Sequence, residues 1–299
     1  MISTTVHTPY DSSSRPFTIG LSKLDLHDWI EVDDHLRAYL DEKDRLAATV
    51  PERIFVAEPG SETSQAEVLS LLAQHLPARF PGIYQHFGTH IDIVPAFRRV
   101  VLDTPLPPLL TAAGLVQEDL ILMRKGEDGW RLGAGSLAFP SAWRLLEKFG
   151  KPMHEIHAPV PGFSQGTRNA DLIARMFDNL SPANPVLRWN WGIYEDAELY
   201  HPGSGNGMRR FGETVDAAGI FIRVERQTLR KLPVSGDILF TIRIHLNPLS
   251  LLAQQPNRQE LARGLATQIA ALSDAELTYK SLSDERGRLL EQLALIAAG

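Results

Sequence analysis

The sequence predicts an α+β fold, with helices towards both ends of the chain and antiparallel strands between them. Three observations lead there. Apolar residues recur at helical spacing before residue 80 and again after residue 250. Between these stretches, two sets of turn residues separate strand-like runs, Gly126-Glu-Asp-Gly129 and Leu232-Pro-Val-Ser-Gly236, and each reads as a hairpin. Strands and helices do not alternate as a doubly wound parallel sheet requires.

The elements follow in order. Residues 1–16 read as a polar leader, flexible or lying on the surface, and residues 17–299 as one domain. Trp29, Val32, Leu36, Tyr39, Leu40 and Leu46 predict a helix over Asp28 to Ala48. A second helix is expected over Thr63 to Phe80, with Ser64 and Glu67 spaced as a capping box and Pro81-Gly82 as the stop. Residues 83–118 mix short strand-like pieces with the turn Pro105-Leu-Pro-Pro108. Strands are expected at Leu120–Arg124 and Trp130–Phe139, then a short helix over Ser141 to Phe149. His157 to Phe163 is a Pro/Gly-rich turn, Asn169 to Leu180 a helix and Val186 to Tyr194 a strand. Gly203-Ser-Gly-Asn-Gly207 centres a loop. It lacks the Lys-Ser/Thr context of a phosphate cradle. The second hairpin pairs Ile220–Leu229 with Asp237–Leu246, and helices close the chain at Ser250–Gln254, Arg258–Leu272 and Leu282–Ala298.

Composition excludes several function classes. The 299 residues are 43% hydrophobic and 22% charged, enough apolar surface for a core that needs no covalent staple. There is no cysteine, so disulfides, Cys-ligated iron–sulfur clusters, zinc ribbons and thiolate-ligated iron are excluded. A redox metal must be held by His, Met, Tyr or carboxylate, and ten histidines are present. A net charge of −6 with Lys and Arg spread along the chain argues against nucleic-acid binding. No apolar run reaches the roughly 18 residues of a spanning helix, and the first residues show no signal-peptide core. A cytoplasmic location is the expectation.

Four segments could carry chemistry. In the late hairpin, alternation places Phe221, Arg223, Glu225 and Gln227 on one strand face, and Ile222, Val224, Arg226 and Thr228 on the other. Its partner presents an apolar face, Ile238, Phe240, Ile242 and Ile244, with Arg243 and His245 opposite. Arginines crowded there with Arg230 need carboxylates, from Glu225 or from a ligand; a solvated face with cross-strand ion pairs is the plain alternative. In Met153-His-Glu-Ile-His-Ala-Pro-Val-Pro-Gly162, the prolines after His157 fix its backbone, as suits a metal ligand, although a histidine in such a segment is more often packed or capping. His154 lies three residues away, and the zinc-protease spacing is absent. Trp189 and Trp191 share one strand face and could wall a flat cofactor or simply fill the core, with Asn190 opposite. Glu118 and Asp119 precede an apolar strand and could hold a cationic amine or relay protons, or merely end a turn.

Taken together these segments resemble one family. The ordered motifs are Pro16-Phe-Thr-Ile-Gly20, His75-Leu-Pro-Ala-Arg-Phe-Pro-Gly82, Leu115-Val-Gln-Glu-Asp-Leu120, Phe139-Pro-Ser-Ala-Trp-Arg144, Ile156-His-Ala-Pro-Val-Pro-Gly162, Arg188-Trp-Asn-Trp191, Arg223-Val-Glu-Arg-Gln-Thr-Leu-Arg230 and Phe240-Thr-Ile-Arg243. From about Arg15 to about residue 295 the chain resembles the haem-dependent oxidative N-demethylase alpha subunits. The resemblance implies a PAS-like antiparallel sheet elaborated with helices and holding haem b. It implies oxidation of a secondary amine such as dimethylamine with O2, giving a primary amine and formaldehyde. Electrons would come from NADPH through separate flavin and iron–sulfur partners, since a chain without cysteine has no such relay of its own. It points to His157 as the iron ligand, with His154 as the fallback. Arg223, Arg226, Arg243 and, more weakly, Arg144 are candidates for the haem propionates. Trp191 is a candidate cofactor wall. Glu118, Asp119 and Glu225 are candidates to bind the ammonium or move protons. The competing expectation is a haem-based sensor or haem-binding protein without catalysis, because PAS-like folds are often sensors.

Overall fold

The computed structural model describes residues 6–11, 16–203 and 219–298. Its framework is a seven-stranded antiparallel sheet. In chain order the strands are β1 (Ser22–Lys23), β2 (Phe55–Ala57), β3 (Tyr84–His86), β4 (His90–Ile93), β5 (Arg98–Val101), β6 (Asp119–Gly126), β7 (Gly129–Ser136), β8 (Val186–Tyr194), β9 (Phe221–Lys231) and β10 (Ile238–Pro248). The large sheet runs β1-β8-β9-β10-β6-β7-β2, and β3-β4-β5 form a separate antiparallel sheet. The architecture is therefore α+β.

Both expected hairpins are present. β6 and β7 close through Gly126 opposite Gly129. β9 and β10 pair along their whole length, from Phe221 opposite Pro248 to Lys231 opposite Ile238. At that turn the Leu232 N–H donates to the Asp237 carbonyl, and Gly236 takes a φ of 77°, which a residue without a side chain adopts without strain.

The helices are α1 (Leu36–Thr49), α2 (Pro51–Ile54), α3 (Glu62–Arg79), α4 (Pro108–Ala113), α5 (Leu145–Lys148), α6 (Met153–Ile156), α7 (Arg168–Asn179), α8 (Leu249–Ala253), α9 (Arg258–Ala270), α10 (Asp274–Tyr279) and α11 (Arg286–Ala298). None is long and apolar enough to cross a membrane. Helix α1 starts later than expected: residues before it form only a short 3-10 turn, Leu26–Asp28. The Ser64/Glu67 capping box does not form, because α3 begins two residues earlier. Ser64 instead donates to Asp237 Oδ2 at 2.5 Å, and Glu67 accepts the backbone N–H groups of Val234 and Ser235, so both tie α3 to the β9–β10 turn. A capping box does form at Ser273 and Glu276, starting α10, an element missing from the sequence expectation. The helix expected over Ser141 to Phe149 shrinks to α5. Ser141 bridges His201, and Ala142 takes a left-handed φ of 61°, which no helix accommodates. The Gly203–Gly207 loop lies mostly outside the described residues.

Alternation gives the large sheet two different faces. One buries Leu120, Leu122 and Leu239 against α3 and the small sheet, and Ile222, Val224 and Trp191 against α9 and α11. The other carries Ile121, Met123, Ile242 and Ile244 towards Phe163, Ile173 and Phe177 of the segment after α6 and of α7. Each such side chain stabilises by about 1.5–3 kcal/mol when fully buried. Residues 6–11 lie against the body. Tyr10 is buried, and its carbonyl oxygen would stand only 2.7 Å from a Cβ on Gly264 of α9. Only glycine permits that approach.

Candidate functional site

The second face does not close on itself. Between β6–β10 and the crossover segment from Ser141 to Phe177 lies a cavity of about 220 Å³. Ligand pockets run roughly 300–1,000 Å³, so a large cofactor needs this cavity together with the adjoining cleft of about 630 Å³. A second cleft shares Ser141, Trp143, Lys148, Glu225 and Lys280 with it, making one continuous recess.

The floor is the sheet: Ile121, Met123, Leu229, Phe240 and Ile242 supply an apolar plane, and Arg188, Asn190, Glu225 and Gln227 a polar strip beside it. This follows from register. Gln227 lies opposite Ile242 and Arg188, and Glu225 lies opposite Asn190, so all point to the same side. The roof is Met153, Ile156, His157, Val160, Phe163, Ile173 and Met176.

Among the described residues His157 is the roof's one histidine. It is the C-cap of α6, where Pro152 opens the helix and Pro159 and Pro161 follow. Its Nδ1 lies 3.0 Å from the Met153 carbonyl. A carbonyl only accepts, so the proton sits on Nδ1 and Nε2 carries the lone pair. Burial lowers the pKa to about 4, so the ring is neutral at neutral pH. An imidazole that is neutral, held by a backbone carbonyl and placed on a cavity wall is in the state a metal ligand requires. His154 lines a smaller adjoining pocket shared with His157.

The polar strip is cationic. Arg188, Lys148 and Lys280 all line the cavity, and Glu225 is the single carboxylate there among the described residues. Burial lowers the Arg188 pKa, and its Nε has no hydrogen-bond partner among the described residues. Burial also lowers Lys148 and Lys280 to about 8 each, with Glu225 acting in the opposite sense on both. Lys148 lies over the Trp143 ring at 4.4 Å, and Lys280 donates to the Trp191 carbonyl. Gln227 Nε2 donates to Glu225 Oε2 at 2.6 Å, fixing that carboxylate from the sheet side. Desolvated cations in excess of the available carboxylates call for an anionic ligand.

The remaining sequence candidates lie elsewhere. Arg223 shares the cavity face but is consumed by the loop beside it, donating to the carbonyls of Phe139, Pro140, Glu198 and Leu199 and to Ser141 Oγ. Arg226 and Arg243 are on the opposite face. Arg226 donates to the carbonyls of Asp28 and Trp29 and pairs with Glu31 at 3.1 Å. Arg243 pairs with Asp33 at 2.7 Å and lies over the Tyr39 ring. Arg144 is exposed at the cleft, held by the Pro202 carbonyl and Glu147. Trp191 borders the cleft while its indole N–H donates to Gln268. Asp119 accepts the N–H groups of Ala138 and Phe139, and burial raises its pKa to about 6. Glu118 is fully buried with its pKa raised by burial, and its Oε1 accepts the Glu31 N–H. Neither acid lines the cavity, so of the three acids only Glu225 reaches it. Arg188, Lys148 and Lys280 escaped the sequence reading. Only Arg188 left a signal there, by alternating with Asn190 opposite the Trp189 and Trp191 face.

A family model described as haem-dependent oxidative N-demethylase, alpha subunit-like, matches residues 20–290.

Proposed function

Because the chain belongs to the family of haem-dependent oxidative N-demethylase alpha subunit-like proteins, we propose that its cavity holds haem b and that the protein demethylates a secondary amine of the dimethylamine type. The observation that carries this reading is the pairing of His157, neutral and with its lone pair on Nε2, with an anion-seeking strip on the same cavity. The residues fit the group. His157 would ligate the iron, and His154 is the fallback. Arg188, Lys148 and Lys280 would take the propionates, replacing Arg226 and Arg243, whose carboxylate partners are within the chain. The apolar plane of Ile121, Met123, Phe240 and Ile242 would meet the macrocycle. The five long strands, in the order β8-β9-β10-β6-β7 with the helical crossover folded over one face, support the PAS-like reading.

Bound haem supplies oxygen activation. The balance is one secondary amine, one O2, two electrons and two protons, giving a primary amine, formaldehyde and water. The chain's own residues supply position and protons. Glu225 is the one cavity acid of the original candidates: its carboxylate can attract a protonated amine and accept a proton from it. Gln227 holds Glu225 in place through the 2.6 Å bond. Val160, Phe163 and Met176 set apolar side chains over the floor. The two electrons come from NADPH by way of separate flavin and iron–sulfur proteins, since the chain contains no cysteine for a cluster. An alpha-subunit-like family suits a protein that works with other subunits.

The test is turnover with reconstituted protein. Dimethylamine and larger secondary amines, supplied with O2 and a reducing system, are expected to perturb the haem spectrum and yield formaldehyde in proportion to electrons consumed. Haem incorporation with no formaldehyde from any secondary amine would leave a haem-binding protein or sensor and defeat the demethylase reading.

A further inference from the structure

The outer face of the sheet holds a second cluster of ligating side chains, away from the cavity. His245 of β10 lies on the face opposite Ile242 and Ile244, and its Nε2 is 3.1 Å from Glu31 Oε2. His7, from the N-terminal segment, brings its own Nε2 to 3.1 Å from the same oxygen. The three ligand atoms all lie within 4.8 Å of one another.

We propose that His7, Glu31 and His245 form a binding site for a divalent first-row transition metal of the zinc type, independent of the cavity. The donor set is two imidazole nitrogens and one carboxylate oxygen, a set that zinc and ferrous iron both accept. The spacing is close to what coordination demands. Tetrahedral ligands at roughly 2.0–2.1 Å from zinc stand about 3.4 Å apart. The two 3.1 Å separations therefore need an expansion of a few tenths of an ångström, within reach of side-chain rotation. The three residues come from three distant parts of the chain, so nothing local forces them together.

The surroundings position the donors. Arg226 Nε stands 3.1 Å from Glu31 Oε1, leaving Oε2 to the metal. The Glu31 backbone N–H donates to Glu118 Oε1, and the other Glu118 oxygen is buried without a hydrogen-bond partner among the described residues. Glu31 itself offsets the guanidinium beside the site. The His7 ring packs on the Trp189 ring at 4.4 Å and on the His245 ring at 4.7 Å. His245 is 8% exposed, His7 17% and Glu31 28%, so the site is reachable from solvent and a water can complete the coordination. Its structural consequence is a clamp: the metal would join the N-terminal segment to β10, beside the point where Tyr10 is pressed against Gly264.

The experiment uses the untagged full chain loaded with haem, stripped of other metals, and titrated with Zn2+ while calorimetry and elemental analysis follow stoichiometry. The expected result is one tight zinc per chain, with His7→Ala and Glu31→Gln each weakening it by at least tenfold and neither reducing haem content. His7 lies in an end segment, so its replacement leaves the fold available for measurement if the buried His245 variant does not fold. Absence of stoichiometric zinc in the parent protein, or full parental affinity in both variants, would overturn the assignment. The haem content read alongside reports on the cavity separately, so failure of one reading is distinguishable from failure of the other.

Discussion

The two faces of the large sheet use the same residue types to opposite ends. On the outer face Arg226 meets Glu31, Arg243 meets Asp33, and Thr228 meets Thr241 at 2.6 Å. On the cavity face Arg188, Lys148 and Lys280 are partly desolvated, with Glu225 the only carboxylate among them in the described residues. Adjacent positions on one strand thus go to different roles, Glu225 to the cavity and Arg226 to the outer network. An arginine count therefore says little about ligand binding; the supply of partners decides. Where the chain itself provides carboxylates the arginines hold the fold, and where it withholds them the charge is kept for a ligand.

Breaking each side of this contrast should give different readouts. The largest effect is expected at Arg243→Ala, which leaves Asp33 buried and unpaired; breaking a buried pair from one side costs about 3–5 kcal/mol. Urea denaturation of the haem-free protein checks it, and an unchanged midpoint would place Arg243 outside the stabilising network. Arg188→Met should do the reverse. It removes a half-buried charge whose carboxylate neighbour Glu225 is shared with two lysines, so haem-free stability is held or raised, while haem affinity falls roughly 10- to 100-fold from the loss of about 1.5–3 kcal/mol of charge-assisted hydrogen bonding. Haem titration beside the same denaturation curve separates the two effects, and a variant that loses stability but keeps haem contradicts the contrast.

A pH series sharpens it further. Lys148 and Lys280 are lowered to about 8 in the haem-free protein. Their charge is unfavourable in the folded state, so this penalty is fully present below pH 8. It is relieved as pH rises from about 8 towards the usual lysine value of about 10.4. Haem-free stability should therefore gain over that window, whereas haem affinity should hold below pH 8 and decline above it, as the lysines lose the charge the propionates need. Affinity independent of pH between 7 and 10, read by competition with an apo-globin, would remove the lysines from the propionate site. The smallest effect on binding is expected at Glu225→Gln, which keeps the size and the contact with Gln227. Haem content should stay at the parental value while formaldehyde formation slows by about 10²-fold or more, the usual worth of a positioned acid or base.

How much of this was legible in the sequence depends on the range of the interaction. Strand alternation placed Glu225 and Gln227 on one face and Arg226 on the other, because the period of two is a backbone property. The prolines around His157 announced a rigid histidine, and α6 supplies the carbonyl that fixes its tautomer. The cationic strip was not legible. Lys148 ends α5, Arg188 is on β8 and Lys280 follows α10, so they converge only through the tertiary fold. Ser64 and Glu67 misled for the same reason: a capping pattern in sequence was claimed by Asp237 and the β9–β10 turn, over 160 residues on.

The central claim is that His157 holds haem iron in the cavity, and haem titration of the parent chain and His157→Ala, followed by absorbance, tests it most directly. The account predicts one haem per chain with a sharp Soret band and a ferrous–CO spectrum of a histidine-ligated iron in the parent, and loss of stable haem retention in His157→Ala with the fold intact by circular dichroism. A His157→Ala variant that retains haem with the parental Soret and ferrous–CO spectra would contradict it.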